Sequence, residues 1–253
     1  MSLDGRVALV TGGGRGIGKA IALGLAEDGA DVAINYRRDD EAARDTVAEI
    51  EKLGRRAFAY AASVDDYVQC EAMVAGALED LGKIDILVNN AGIASRGQSV
   101  ADTDPSELDR VVRTHAIGAW SCSKLVLPSM RAQDRGDIVM ISSAATLHYA
   151  GWSAPYNMAK AALEALALTL AKEERRNNIH VNIVAPGLVD TEMGRRLVKG
   201  AMGVEDIRTM DKNAAFGHVC TPEEVAEAVR FVVSDRASYI TAQRIGVDGG
   251  AFQ

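Results

Sequence analysis

The chain has few cysteines and lacks the segments that would direct it into or across a membrane. Its three cysteines, Cys70, Cys122 and Cys220, are scattered and odd in number. This favours free thiols in a reducing compartment over a disulfide framework. No apolar run approaches the length that a bilayer-spanning helix requires. Residues 1–5 lack the basic region and apolar stretch of a secretory signal, so we expect no signal peptide and a cytoplasmic protein.

A basic excess and a metal-ligand pattern are also missing. The 28 Lys and Arg residues are outnumbered by 35 Asp and Glu residues, which gives a net charge of −7. This balance argues against nucleic acid or an anionic membrane as the main partner. The four histidines show no ligand spacing, so we expect no metal site.

What the 253 residues do contain is a regular alternation of short β-like runs and helical stretches. Several runs are continuously apolar, which is typical of parallel strands covered on both faces. The alternation predicts an α/β fold with right-handed crossovers and a doubly wound sheet. No linker or repeat interrupts it, so we expect one domain, 1–253. The predicted strands are 7–10, 32–35, 57–61, 84–88, 138–141, 180–185 and 244–247. The predicted helices are 16–28, 39–53, 65–81, 105–131, 155–176 and 222–234.

A glycine-rich loop joins the first predicted strand to the first predicted helix. Residues 11–18 read Thr-Gly-Gly-Gly-Arg-Gly-Ile-Gly. Glycine lets the backbone turn sharply and approach a pyrophosphate, and the helix N-terminus that follows favours an anion. We therefore expect a dinucleotide to contact Gly12, Arg15, Gly16, Ile17 and Gly18. The spacing differs from Gly-x-Gly-x-x-Gly, and a glycine-rich turn without a ligand is the alternative.

The residues after the second predicted strand favour NADP(H) over NAD. An NAD-selective protein usually has an acidic residue here to hold the ribose hydroxyls. This chain has Arg37 and Arg38 instead, and Asp39 and Asp40 have the positions of a helix cap and first turn. Together with Arg15, Arg37 would suit a 2′-phosphate, whereas a solvated surface charge is the favoured interpretation of Arg38.

Hydroxyl and amino groups that suit carbonyl chemistry follow the fifth predicted strand. Ser143 could hold a carbonyl oxygen by a hydrogen bond, and Tyr156 and Lys160 lie four apart on one helix face. An ammonium group beside a phenol lowers the phenol pKa, so this pair makes an acid/base catalyst. Taken alone, most Tyr-x-x-x-Lys pairs are ordinary surface residues.

In order and spacing, these motifs resemble those of the short-chain dehydrogenase/reductase family over essentially the whole chain. The matching motifs are 11–18, Asn-Asn-Ala-Gly at 89–92, Ser143 with Tyr156 and Lys160, Pro186-Gly187 followed by Thr191, and Val-Asp-Gly-Gly at 247–250. The resemblance implies a Rossmann-type, seven-stranded parallel sheet with helices on both faces that binds NADP(H). It is closest to the 3-oxoacyl-[acyl-carrier-protein] reductase branch.

The resemblance also implies roles for particular residues. Tyr156 would donate or accept the proton, Lys160 would hold the nicotinamide ribose, and Ser143 would orient the substrate carbonyl. The other implied cofactor contacts are Asn90, Ala91 and Gly92 near the adenosine ribose, Ser63 and Val64 at the adenine, and Pro186, Gly187, Val189 and Thr191 near the nicotinamide. A homotetramer would assemble through helix 155–176, which is apolar on nearly all faces, and its neighbour; burial of that helix within the monomer is the alternative.

Two positions depart from the family pattern. His115 stands where the family usually has an Asn that holds a water between the lysine and solvent. Its ring nitrogens could take over this relay and titrate near neutral pH, or it could be a core histidine bonded to the backbone. Ser63 stands where many relatives have Asp, so we expect weaker adenine recognition.

The segment 188–213 is expected to contact the substrate. Its apolar residues suit either a lid over an apolar substrate or two short helices packed on the sheet. Arg131, Arg135, Arg175 and Arg176 form an interrupted basic patch, so an acyl carrier protein is one partner to test. A free ketone, a sugar and a steroid-like alcohol are the alternative substrates. An enzyme that works mainly as an alcohol dehydrogenase is the alternative for the direction of the reaction. Because His115 departs from the family pattern, a non-catalytic NADP-binding regulator is the second alternative function.

Overall fold

The computed structural model describes residues 2–251. Its strands are β1 Val7–Val10, β2 Asp31–Tyr36, β3 Ala57–Ala61, β4 Ile86–Asn89, β5 Gly136–Ile141, β6 Ile179–Pro186 and β7 Arg244–Val247. Its α-helices are α1 Gly16–Glu27, α2 Asp40–Lys52, α3 Tyr67–Leu81, α4 Pro105–Val112, α5 Gly118–Met130, α6 Ala145–His148, α7 Ala154–Glu174, α8 Glu192–Met202 and α9 Pro222–Val233. No helix within this part of the chain is both long enough and apolar enough to cross a membrane.

The strands form one parallel sheet in the order β3-β2-β1-β4-β5-β6-β7. The predicted fold class is therefore confirmed, and every predicted strand is present with its ends within two residues. The chain order reverses between β1 and β4. In doubly wound sheets a ligand binds at such a switch point, beyond the carboxyl ends of the strands.

Helices cover both faces of this sheet, and alternate residues of each strand contribute to two separate cores. In β1, Val7 and Leu9 belong to the core shared with α3, α5 and α7. Ala8 and Val10 belong to the core shared with α1, α2 and α9. This two-residue alternation explains why the central strands read as continuous apolar runs.

The predicted helix 105–131 is wrong as a single α-helix. A π-helical turn, Arg113–Ile117, separates α4 from α5, and it contains His115. One extra residue in the turn shifts the phase of the following helix by about 100°. Gly118 lies against the loop that follows β3. A Cβ on Gly118 would be 2.8 Å from the carbonyl oxygen of Val64.

The segment 188–213 folds as α8 followed by a 3₁₀ helix, Ile207–Asn213. Val198 and Ile207 form a small core with Val219, separate from the two cores of the sheet. Asp190 is buried and accepts hydrogen bonds from the Nε atoms of Arg195 and Arg208, both at 2.8 Å. One carboxylate thus ties both helical pieces to the end of β6.

We predict that Asp190→Ala loosens this segment without unfolding the sheet. The substitution leaves two arginines without their shared partner, a change of about 1–3 kcal/mol that acts locally. Limited proteolysis should therefore cleave within residues 192–213 faster than in the wild type, while the melting temperature falls by only a few degrees. Glu205→Gln, which removes an exposed ion pair with Lys199, is the control; equal cleavage of the two variants would contradict the prediction.

Candidate nicotinamide and catalytic site

The glycine loop leaves the N-terminus of α1 open to an anion. Arg15 occupies the N-cap position in an extended conformation, makes no capping hydrogen bond, and no acid lies in the first turn. In contrast, acidic side chains cap α2, α3 and α4. Gly12 has a φ of +65°, and a Cβ on Gly18 would lie 2.2 Å from the carbonyl oxygen of Gly12. The free N–H groups of α1, beside a loop without side chains, fit a pyrophosphate.

Polar side chains from three strand ends hold this loop in shape. Thr11 Oγ1 accepts from the backbone N–H groups of Asn90 and Ala91, both at 3.0 Å. Asn90 Nδ2 donates to the carbonyls of Thr11 and Gly12, at 2.8 and 3.2 Å. Buried Asn35 accepts from the N–H of Gly12 at 3.3 Å. Thr11 and Asn35 could not be assigned this role from sequence, because their partners are distant in the chain.

Positive charge lies at the carboxyl end of β2. Arg37 and Arg38 are exposed and make no ion pair with any residue in the range 2–251. Arg15 is also exposed and pairs with Glu192 of α8 at 2.8 Å. The predicted adenine residue Ser63 donates its hydroxyl to Asp65, and Val64 is buried.

Tyr156, Lys160 and Ser143 meet at the carboxyl end of β5. Ser143 follows this strand; its hydroxyl accepts from the N–H of Ala145 at 3.2 Å and lies near enough to Tyr156 to lower the pKa of that phenol in part. Lys160 Nζ lies 5.7 Å from the centroid of the Tyr156 ring. The ammonium group is buried and donates to the carbonyl of Ile141 at 2.6 Å. The structure therefore brings together the three groups that the sequence pattern singled out.

Burial decides the protonation of this cluster. Burial lowers the pKa of Lys160 to about 7, against an opposing effect of the Glu164 carboxylate. Burial also raises the pKa of Tyr156, and the hydrogen bond from Ser143 lowers it in part. The net pKa of Tyr156 is thus raised in this state, against the expectation of a lowered phenol pKa, because desolvation is the largest effect.

His115 packs edge-on against Tyr156, with ring centroids 5.3 Å apart. The N–H of Ile93 donates to its Nε2 at 3.0 Å, and the Ile93 carbonyl oxygen lies 2.8 Å from the same atom. Its buried Nδ1 has no hydrogen-bond partner within residues 2–251 and lies beside a cavity of about 10 Å³. Burial, and then the charge of Lys160, lower the pKa of His115 to about 3. The expectation that it titrates near neutral pH is therefore wrong.

The end of β6 brings further expected cofactor residues close to the glycine loop. A Cβ on Gly16 would lie 3.4 Å from Thr191 Cγ2. Thr191 also caps α8, accepting from the N–H of Gly194 at 3.0 Å. Val189 is buried, and Gly187 follows Pro186 at the strand end with its N–H bonded to Val247. The two loops thus lie on either side of the switch point.

Two further charged residues lie beneath Ser143 and were not singled out from the sequence. Glu164, one turn beyond Lys160 on α7, accepts from Ser142 Oγ at 2.6 Å and from Arg244 Nε at 3.2 Å. Arg244 also donates to the carbonyl of Ser143 at 3.1 Å. No short motif could pair them, because 80 residues separate Glu164 from Arg244.

A Rossmann-type sheet with an uncapped glycine loop, next to a serine–tyrosine–lysine cluster, defines an oxidoreductase that uses a nicotinamide cofactor. Comparison with known proteins agrees. The family described as enoyl-(acyl carrier protein) reductase matches residues 12–251. A 3-oxoacyl-[acyl-carrier-protein] reductase of Thermotoga maritima is 36% identical, over 99% of both chains.

Solved structures show the same likeness. A short-chain dehydrogenase from Burkholderia cenocepacia in complex with NADP is 38% identical, with a TM-score of 0.90 over 99% of both chains. A 7α-hydroxysteroid dehydrogenase in complex with NADH and 7-oxo glycochenodeoxycholic acid is 32% identical, with a TM-score of 0.90 over all of this chain and 96% of that one. The chain belongs to the short-chain dehydrogenase/reductase family.

We predict that His115→Asn reduces the sensitivity of the fold to acid. The pKa of His115 is lowered from 6.5 to about 3, so the unfolded chain binds a proton that the folded chain does not. The stability supplied by neutral His115 is therefore present above pH 6.5 and is lost as the pH falls toward 3. Over that range, urea unfolding should show a shallower loss of unfolding free energy in His115→Asn, by up to several kcal/mol.

His218→Asn is the control for this measurement. The pKa of His218 is raised by Glu224, so its contribution is present below pH 6.5 and is lost at higher pH. Between pH 6.5 and pH 4.5, above the ordinary pKa of Glu224, this variant should not make the loss of unfolding free energy shallower. If the unfolding free energies of the wild type and His115→Asn fell equally steeply toward acid pH, the burial argument would be contradicted.

Proposed function

We propose that this protein transfers a hydride between NADP(H) and a carbonyl or secondary alcohol, with a 3-oxoacyl thioester as the favoured substrate. The observation that carries this proposal is the meeting of Ser143, Tyr156 and Lys160 at the end of β5. The resemblance to 3-oxoacyl-[acyl-carrier-protein] reductases supports the choice of thioester. A ketone, a sugar or a steroid-like alcohol is the alternative, in either direction.

The proposed roles follow from the geometry. The glycine loop and the end of β6 would hold a dihydronicotinamide cofactor, which would supply the hydride that the carbonyl carbon receives. The Tyr156 phenol gives its proton to the carbonyl oxygen, while the Ser143 hydroxyl holds that oxygen by a hydrogen bond. Lys160 would bind the ribose, and its positive charge would favour the phenolate left on Tyr156. In alcohol oxidation, the phenolate takes the hydroxyl proton instead. His115, neutral and bonded to Ile93, would act next to this path through a water and not as a titrating base.

We propose NADP(H) as the cofactor because basic groups, and no acidic side chain, directly follow β2. The exposed Arg37 would pair with the 2′-phosphate, with Arg15 nearby on the glycine loop. The solved relative that holds NADP supports this choice. The remaining proposed contacts are Gly12, Gly16, Ile17, Gly18, Ser63, Val64, Asn90, Ala91, Gly92, Pro186, Gly187, Val189 and Thr191.

Exposed apolar side chains lie in the proposed substrate segment, and the basic patch is partly neutralised. Met193 and Leu197 of α8 are exposed in segment 188–213, as lid residues would be. Arg131 pairs with Glu174, and Arg135 pairs with Asp137. This leaves less free positive charge for an acyl carrier protein than the sequence suggests. A panel containing one 3-oxoacyl group on coenzyme A and on acyl carrier protein measures whether the carrier matters.

We propose a homotetramer built from one such domain, 1–253, per chain. Met158 and Leu168 of α7 and Trp120 of α5 are exposed apolar side chains, so burial within the chain does not account for these helix faces. Light scattering after gel filtration measures the mass; a monomer would reject this part of the proposal. The free cysteines support a cytoplasmic location, which a fractionation experiment would test.

The central prediction concerns the phenol. Tyr156→Phe removes the proton donor and leaves the ring, so turnover of an active carbonyl substrate should fall by about 10²–10⁴-fold while NADPH binding persists. Steady-state kinetics and NADPH fluorescence measure the two effects. Tyr239→Phe alters a fully exposed phenol and is the matched control. Unchanged turnover in Tyr156→Phe would remove the proposed acid; tight NADPH binding without turnover of any carbonyl by the wild type would instead favour a regulator.

Cofactor choice generates a separate prediction. Arg37→Ala should weaken NADPH binding about tenfold or more, because a charge-assisted hydrogen bond to the 2′-phosphate contributes about 1.5–3 kcal/mol. NADH binding should change little, since NADH lacks that phosphate. Fluorescence titration with both cofactors measures the ratio, and Arg44→Ala on α2, which loses only an exposed pair with Asp40, is the control. Equal losses for NADH and NADPH would exclude Arg37 from phosphate recognition.

A further inference from the structure

Three donors converge on one carboxylate oxygen behind the candidate catalytic cluster. Glu164 Oε1 accepts from Ser142 Oγ at 2.6 Å, from Thr146 Oγ1 at 2.9 Å and from Arg244 Nε at 3.2 Å. Its side chain is 18% exposed and that of Arg244 is 23% exposed, so water screens this ion pair less than a surface pair. The arrangement is a polar network that links α7, β7 and the chain just after β5.

This network holds the backbone that carries Ser143. Arg244 Nη2 donates to the carbonyl of Ser143 at 3.1 Å and to Thr146 Oγ1 at 3.2 Å. Glu164 holds Ser142, the neighbour of Ser143 in the chain. Ser143 is therefore fixed from both sides, by a carboxylate on α7 and a guanidinium on β7. A fixed backbone limits where the Ser143 hydroxyl can lie relative to Tyr156.

The same carboxylate acts electrostatically on Lys160. Three titratable groups face Lys160: Tyr156 and Glu164 on its own helix, and His115 from the π-helical turn. His115 is neutral because its pKa is about 3. Glu164 is the group that raises the pKa of Lys160 against burial. Arg244 is bonded to Glu164 and opposes its field.

We propose that Glu164 and Arg244 are positioning residues, which fix Ser143 against Tyr156 and set the electrostatic balance around Lys160. This inference rests on the proposed function of the Ser143, Tyr156 and Lys160 cluster. Neither residue touches the reacting atoms. Glu164 acts through Ser142 and Lys160, and Arg244 acts through the Ser143 carbonyl and through Glu164.

The two charges have opposite effects on pH dependence. Removing a negative charge near the Tyr156–Lys160 pair favours loss of a proton, so Glu164→Gln should lower the apparent pKa of activity. Removing a positive charge does the reverse, so Arg244→Gln should raise it. Glutamine at position 164 keeps an oxygen that can accept from Ser142. A merely structural role would slow both variants without moving their profiles in opposite directions.

The experiment measures kcat/KM for alcohol oxidation as a function of pH, with an alcohol that the wild type oxidises. We expect the profile to move about one pH unit toward acid in Glu164→Gln and toward alkali in Arg244→Gln, with the double variant near the wild-type position. Ser142→Ala removes a hydrogen bond but no charge, so it should lower kcat without moving the profile. Hydrogen exchange of the amides of residues 143–147 should be faster in Arg244→Gln.

Matched controls come from the exposed surface. Glu173→Gln on the same helix and Arg236→Gln just beyond α9 remove the same charges from exposed positions, and their profiles should coincide with the wild type. Superimposable profiles for Glu164→Gln, Arg244→Gln and wild type, with wild-type melting temperatures, would overturn the inference. Failure of the proposed function is distinguishable from this result, because Tyr156→Phe would then keep its activity.

Discussion

The site depends on one buried ammonium group. Lys160 is 4% exposed and donates at 2.6 Å to the carbonyl of Ile141, at the carboxyl end of β5. Desolvation of this charge is unfavourable, and it lowers the Lys160 pKa to about 7. The ammonium therefore persists there only while α7 and β5 keep their relative position. That position is set by the register of β5 between β4 and β6 and by the apolar face of α7.

Local patterns predicted most of the fold, because each strand and helix carries its own signal. The buried strands are continuous apolar runs, and alternation with helices leaves a parallel sheet as the consistent solution. The π-helical turn Arg113–Ile117 was not predicted, because it carries no local signal of its own. An extra residue hardly alters the composition of a helical stretch, and the close packing of Gly118 on Val64 involves residues that are far apart in sequence.

The candidate site likewise contains residues that local spacing predicts and residues that only the fold brings together. Tyr156 and Lys160 are one helical turn apart, so their common face was readable from spacing. The Glu164–Arg244 pair joins α7 to β7 across 80 residues, and only the folded sheet brings these side chains together. The direction of the Tyr156 pKa was also missed, because sequence spacing reports a neighbouring charge but not the degree of burial, which is the larger effect here.

His115, where the family resemblance implies an Asn, alters the shape of the site more than its charge. With a pKa of about 3, the imidazole is an uncharged hydrogen-bonding group at neutral pH, as an amide is. Its ring is larger, and Gly92 accommodates it, since a Cβ on Gly92 would lie 2.5 Å from His115 Cε1. A protonated His115 would place a second cation near Lys160, where Glu164 is the carboxylate whose charge acts on the site. Burial that keeps His115 neutral therefore preserves the charge of Lys160, on which the proposed chemistry depends.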